Sequence, residues 1–181
     1  NGWADQADVL IRTRMAADAV GATRLHRPEW VAVHPHTGEV FVTLTNGSGN
    51  GASVNSNRNP NPYGHIVRFS ESRTDDTAFS WDIFLLAGDP SYDANVPPDQ
   101  PVFGSPDGIW VDPSGIVWIQ TDISNSSQNL ASRGYDGIGN NAMLAAVPET
   151  GELKRFMTGP RGCEITGVVM TPDQRTMFVN I

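Results

Sequence analysis

"RPEWVAVHPHTGEVFVTLTN", residues 27–46, decides how the rest of the chain is read. Two short runs, "WVAVHP" and "EVFVTLTN", flank the turn "HTG". β-Branched and aromatic residues bounded by Pro, Gly and Asn are the pattern of a β-hairpin, because such side chains pack well on a pleated surface. A hairpin does not require the carboxylate of Glu29 at its entrance or the amide of Asn46 at its exit. The pattern returns in "PDGIWVDPSGIVWIQTD", where Asp107 and Asp122 stand at the corresponding ends. It returns again in "EITGVVMTPDQRTMFVNI", which ends on Asn180 and Ile181. In that third copy Thr166 falls at the acidic position. Glu164 lies two residues earlier, on the same face of an extended strand.

Between these copies come further strand-like runs. "GHIVRFS" and "FSWDIFLL" follow the first copy; "NNAMLAAV" and "ELKRFM" follow the second. A four-strand unit recurring every roughly 60–80 residues is the signature of propeller blades. The expected fold class is therefore all-β: a partial β-propeller of about two and a half four-stranded blades, with a short N-terminal helical segment. Residues 1–26 are the helical lead-in and residues 27–181 the blades. In the lead-in, Val9, Ile11, Met15, Ala16 and Val20 form an imperfect apolar stripe, with Gly21 as a stop. A chain read as stopping inside its third blade is expected to be a fragment, whose open blade faces favour self-association.

Composition excludes several classes of function. A net charge of −8 argues against a nucleic-acid surface, and no phosphate-cradling G-x-x-x-x-G-K-[ST] loop occurs. No apolar run approaches the roughly 18 residues of a membrane span, and no signal peptide is visible at the start. The single Cys163 rules out an intrachain disulfide. No strained G-x-S-x-G elbow appears, which argues against a serine hydrolase. If the substrate of so acidic a chain is an anion, the local field has to be reversed inside the site, as bound cations do.

The repeated acids supply that possibility. Inner strands of a propeller converge on its axis, so Glu29, Asp107 and Glu164 at strand entries, with Asn46, Asp122 and Asn180 at exits, are candidates for a ring of oxygen ligands. Hard cations such as calcium take about six to eight such oxygens. The competing reading is that Asp and Asn simply cap turns. "GPRGCEITG" places Arg161 three residues before Glu164, between glycines, where its planar fork suits a phosphoryl group. A surface arginine in a turn is the competing reading there. Cys163 reads as a small buried hydrophobe rather than a metal ligand. Trp30, Trp110 and Trp118 read as packing between blades, and His34, His36 and His65 as solvent-facing. The Asn/Gly/Ser-rich stretch 45–65 reads as a long loop of the kind that carries function.

Taken in order, "TRMAADAVGATRLHRPEWVAVHPHTGEVFVTLTN", "NPYGHIVRF", "SPDGIWVDPSGIVWIQTD", "GNNAMLAAVPETGELKRFMTGP" and "GCEITGVVMTPDQRTMFVNI" resemble the carboxy-terminal portion of the PhoX-type bacterial alkaline phosphatases. The resemblance implies a β-propeller hydrolase of phosphomonoesters that uses calcium and iron (Ca2+ and Fe3+). It implies export by the twin-arginine route to a periplasmic or secreted location. It carries metal-ligand roles to Glu29 in "RPEW" and Glu164 in "GCEITG", and with them to Asp107 and Asp122. Arg161 becomes the substrate-contacting, catalytic arginine. The family's amino-terminal half, with its iron-ligating cysteine region, has no counterpart in these motifs, so the chain alone is expected to be inactive. The alternative is a calcium-stabilised lactonase-like propeller or a noncatalytic binding propeller.

Overall fold

The Val- and aromatic-rich runs pair as antiparallel strands wherever turn residues separate them. The computed structural model describes residues 2–47, 58–73 and 77–181. A first sheet holds β1 (Pro28–Val33), β2 (Val40–Leu44), β3 (His65–Ser70) and β4 (Ser80–Leu86), paired in that order. A second sheet repeats the plan with β5 (Pro106–Val111), β6 (Val117–Thr121), β7 (Ala142–Ala146) and β8 (Leu153–Thr158). β9 (Gly167–Met170) and β10 (Met177–Asn180) form a two-stranded hairpin. The described residues are thus mostly β, in three antiparallel sheets, and none of their helices is long and apolar enough to cross a membrane.

The two ends of the sheets differ. At one end the turns 34–39, 112–116, 147–152 and 171–176 are tight and closed by backbone bonds such as Asp112 N–H to Ile116 O, 3.0 Å. The carboxylate of Asp112 reinforces its turn, accepting from Ser114 N–H, Ile116 N–H and the Trp118 indole. The opposite end collects the long connections 87–105, 122–141 and 159–166, and the connection after β2. Residues 48–57 of the Asn/Gly/Ser-rich stretch lie outside the described residues. Arg58, Tyr63 and Tyr135 tie this end together: Arg58 pairs with Asp93 at 2.7 Å and donates to Gly64 O, and Tyr135 donates to Pro62 O. Loops are where sites are built, because a rigid sheet can hold them while they vary.

Packing runs from sheet to sheet. Phe41, Ile66 and Leu85 of the first sheet meet Ile109, Val117, Ile119 and Leu144 of the second. On the second sheet's other face, Trp118, Met143, Ile165 and Trp110 meet Val168, Met170, Met177 and Val179 of the hairpin. Cys163 belongs to this apolar contact, as a packing residue. The second sheet is covered on both faces, whereas the first sheet's other face is an open apolar groove of about 490 Å³ lined by Leu25, Val42, Leu44, Val67, Phe69, Phe79 and Trp81.

Three expectations are corrected. The lead-in is two short helices, α1 (Gln6–Ile11) and α2 (Thr13–Ala19), broken at Arg12, and none of its apolar stripe is buried. Trp30, at the position Gly108 takes on the second sheet, is 46% exposed rather than packed between blades. His34 and His65 are buried rather than solvent-facing. His34 fills the space over Gly115, where a β-carbon would stand 2.8 Å from its Nε2. His65 occupies the core start of β3 beside the Asn61 amide.

Candidate functional site

β1–β2 and β5–β6 share an irregularity located at the acids. Pro28 pairs with Leu44 and Val31 with Val42, so one extra residue is accommodated at Glu29–Trp30. Pro106 pairs with Thr121 and Ile109 with Ile119, which puts the same bulge at Asp107–Gly108. A bulge bends its strand and re-aims a side chain that regular pleating would send to a fixed face. The residues just before the prolines, Arg27 and Ser105, both have positive φ (46° and 54°). Each then accepts, through its carbonyl, a bond from the residue after the opposite strand, Thr45 N–H at 3.1 Å and Asp122 N–H at 2.9 Å. Positive φ at a non-glycine residue persists only where the surroundings enforce it.

This register corrects one alignment. The residue equivalent to Asp122 is Thr45, not Asn46, and Asn180, which faces Gly167, is equivalent to Gln120 and Thr43. The shared Thr-Asn and Thr-Asp endings misled the sequence comparison by one residue, since the turn lengths alone do not fix register. The position two residues before Thr45 and Asp122 is therefore held by Thr43 and Gln120, with Asn180 as its counterpart in β10, three polar residues that sequence reasoning did not group.

Asp107, Asp122 and Glu164 each bring one carboxylate oxygen to within 4.8 Å of the others. Asp107 comes from the β5 bulge, Asp122 from the end of β6, and Glu164 from the connection before β9. Among the described residues no hydrogen-bond donor or ion-pair partner meets these carboxylates. Burial, then the charges of Glu29, Asp122 and Glu164, push the Asp107 carboxyl up to about 6. Partial burial, then Asp122 and Glu29, also raise Glu164. Like charges gathered without a donor are costly unless protons or cations neutralise them.

Glu29 feels this group electrostatically but stands outside it, exposed, with the Arg27 guanidinium 3.4 Å away. Arg161 lies on an exposed turn three residues before Glu164; the next residue, Gly162, donates its N–H to Gln128 Oε1 at 2.9 Å. No ion pair among the described residues occupies Arg161.

An all-oxygen, carboxylate-rich donor set matches a hard divalent cation, and the absence of internal donors leaves its lone pairs available for one. What the fold and the site define together is an antiparallel, sheet-stacked protein that gathers acids at its loop-bearing end. The model of the Alkaline phosphatase PhoX family matches residues 1–181, and the chain belongs to that family. Pseudomonas fluorescens PhoX, solved in complex with vanadate, a transition-state analogue, is 46% identical with a TM-score of 0.85. That similarity covers 98% of this chain and 32% of the Pseudomonas chain, so the chain spans about a third of that protein's length. A gluconolactonase from Xanthomonas campestris is 16% identical, with a TM-score of 0.50 over 87% of this chain and 36% of its own, a likeness of fold alone. No curated protein matches.

Proposed function

We propose that this chain is the part of a PhoX-type alkaline phosphatase that supplies carboxylate ligands to a calcium- and iron-containing centre. The observation that carries the reading is the convergence of Asp107, Asp122 and Glu164 without a protein donor, in a chain of this family. Glu29 completes the set from the neighbouring sheet. Calcium fits the oxygen donors; iron rests on the family resemblance. The substrate class is a phosphomonoester, in keeping with the vanadate bound by the Pseudomonas protein.

When bound, the cations supply charge neutralisation for the phosphoryl group, which is most of what phosphoryl transfer asks of a protein. The chain's own contribution is positional. The bulges aim the acids, the sheets hold them, and Arg161 offers a bidentate fork to phosphate oxygens from its exposed turn. A site built of acids alone would repel a phosphomonoester dianion, so the arginine and the cations act together.

The same reading treats residues 27–181 as two blades and half of a third in one propeller-type domain, with 1–26 as its lead-in. The sheet-upon-sheet stacking supports it, and so do the two open apolar faces: the groove on the first sheet, and Val169 and Phe178 on the hairpin. Those faces favour self-association of the isolated chain. Membership of the family supports a periplasmic or secreted location as part of the same proposal. The lactonase-like alternative is left with a fold likeness only.

The test replaces the matching third of the Pseudomonas protein with this chain and follows p-nitrophenyl phosphate hydrolysis and metal content. We expect a chelator-sensitive activity in the chimera that Glu164→Gln and Arg161→Ala each reduce at least tenfold, and none in the isolated chain. A folded, metal-loaded chimera indifferent to both substitutions would overturn the assignment.

A further inference from the structure

Gln120 is fully buried, and among the described residues neither polar atom of its carboxamide has a hydrogen-bond partner. Buried amides are nearly always paired, because leaving a donor and an acceptor dry forfeits their hydration. The equivalent position of the first sheet shows what a structural solution looks like there. Thr43 is just as buried, but its hydroxyl accepts from Trp30 N–H at 3.0 Å and donates to Asp107 O at 2.6 Å, bridging to the next sheet. The fold can therefore satisfy a polar side chain at this point with three atoms, and β6 carries a longer one that it leaves unpaired.

The amide points among the segments that carry the acids. Its Oε1 stands 2.5 Å from where a β-carbon on Gly108 would be, so residue 108 has to be glycine for Gln120 to lie there. Gly108 directly follows Asp107 in the bulge. The same point is 3.2 Å from the carbonyl of Thr166, two residues after Glu164. Asp122 follows Gln120 by two residues, on the same face of the extended chain. Gln120, Gly108 and Thr166 thus meet around one point, and each stands within two residues of one of the three carboxylates.

We infer that Gln120 is the neutral member of the cation site, its carbonyl oxygen a ligand to the ion and its amide hydrogens a support for a flanking carboxylate. This rests on the reading of Asp107, Asp122 and Glu164 as ligands. Such an arrangement employs both orphan atoms at once, and it adds an oxygen to the coordination sphere without adding charge to a crowded acidic group. It also accounts for the difference from Thr43, whose short side chain ends in a bridge between sheets.

Calorimetric titration of the 181-residue chain with calcium chloride tests this, with terbium luminescence lifetimes reporting how many waters the bound ion keeps. In wild type we expect saturable binding that Asp107→Asn weakens. Gln120→Met should weaken calcium binding about 10- to 100-fold, the usual cost of a lost supporting or ligating group, and leave terbium with one more water. Gln120→Glu, which keeps an oxygen in place, should restore binding while lowering the melting temperature of the cation-free chain. Unchanged affinity and hydration in Gln120→Met overturn the inference, as does a Gln120→Met chain that is destabilised without cation yet binds normally, the mark of a Thr43-like bridge to Thr166. Should Gln120→Met not fold, a Gln120→Glu chain with wild-type affinity and one added terbium-bound water overturns it equally. Wild type that binds no calcium, or binds it regardless of Asp107→Asn, sinks the underlying ligand assignment instead.

Discussion

In the first hairpin the bulged acid is Glu29, exposed and facing an arginine; in the second it is Asp107, half-buried among other acids with no donor in reach. Both hairpins have a proline at the same place, a positive-φ residue before it (Arg27 or Ser105), the same bulge and the same closing backbone bond. Backbone plan is therefore not what distinguishes them. The difference comes from stacking. Among the described residues the second sheet is enclosed by the first sheet and by the β9–β10 hairpin, whereas the first sheet is covered on one face. Enclosure turns a solvated carboxylate into one whose charge has to be met by something else.

The largest expected contrast lies in Val31 and Ile109, which hold the same register position in their sheets. Ile109 is 2% exposed and packs against the first sheet; Val31 is 61% exposed on the open face. Ile109→Ala should cost about 3–4 kcal/mol, the transfer loss plus a cavity. Val31→Ala should cost less than about 0.5 kcal/mol, as surface substitutions do. Urea denaturation of the two variants checks this. Similar costs would mean that the open face is covered in solution by another copy, which sedimentation would then reveal.

The starts of β3 and β7 give the next contrast. Where the second sheet has Ala142, the first has His65, wholly buried, with its pKa lowered to about 4 by burial, then by the charges of Arg58 and His26. The Asn61 amide meets Nδ1, which makes that nitrogen an acceptor and the neutral ring the native form. The unfolded chain takes up a proton near pH 6.5, the native chain only near 4. The neutral ring's contribution is complete above 6.5 and is lost as the pH falls toward 4. The loss reaches on the order of 3 kcal/mol at the lower limit. Hydrogen exchange at pH 7 and pH 4.5 should show the first sheet loosening before the second. Uniform loosening would place the acid sensitivity elsewhere.

Much of this was legible before any coordinates. All ten strands of the described residues fall on runs read as strand-like between turn residues, because local pattern and tertiary pairing agree there. That Asp107, Asp122 and Glu164 stand near strand ends was legible too, although Glu164 lies two residues off the repeated acidic position, which Thr166 takes, so repetition alone does not bring the three together. Register was not. Sequence repeats align by similarity, whereas strands align by hydrogen bonds, and one longer turn was enough to put Asn46 in the place of Thr45. Gln120 was overlooked for a related reason: a single Gln in "VWIQTD" has no signature until its burial and its empty hydrogen-bond slots are known.

Thr43 and Gln120 supply a contrast of intermediate size. Thr43→Val removes the bridge between Trp30 and Asp107 O and leaves their polar groups dry, at a cost of about 1–2 kcal/mol. Gln120→Met removes an amide that bonds to nothing, so the cation-free chain should lose no stability and can gain some. Thermal melts in chelator would show the two variants moving in different directions, and a large loss in Gln120→Met would mean that its amide is paired in solution.

The smallest effect belongs to the ion pair of the first hairpin. Arg27 and Glu29 are both substantially exposed, and their 3.4 Å contact is worth a few tenths of a kcal/mol at most, because water screens the attraction and two long side chains lose freedom to make it. Arg27→Gln should accordingly leave the melting temperature nearly unchanged. It should still alter the site: Arg27 offsets part of the negative field that acts on Asp107. Removing its charge should raise the Asp107 titration midpoint above about 6 in the cation-free chain, readable from its carboxyl carbon by NMR. Enough salt to screen exposed charges should largely erase the effect. Were the midpoint to move and salt leave it unchanged, the coupling would run through buried structure rather than solvent, and the two hairpins would be less independent than their stacking makes them.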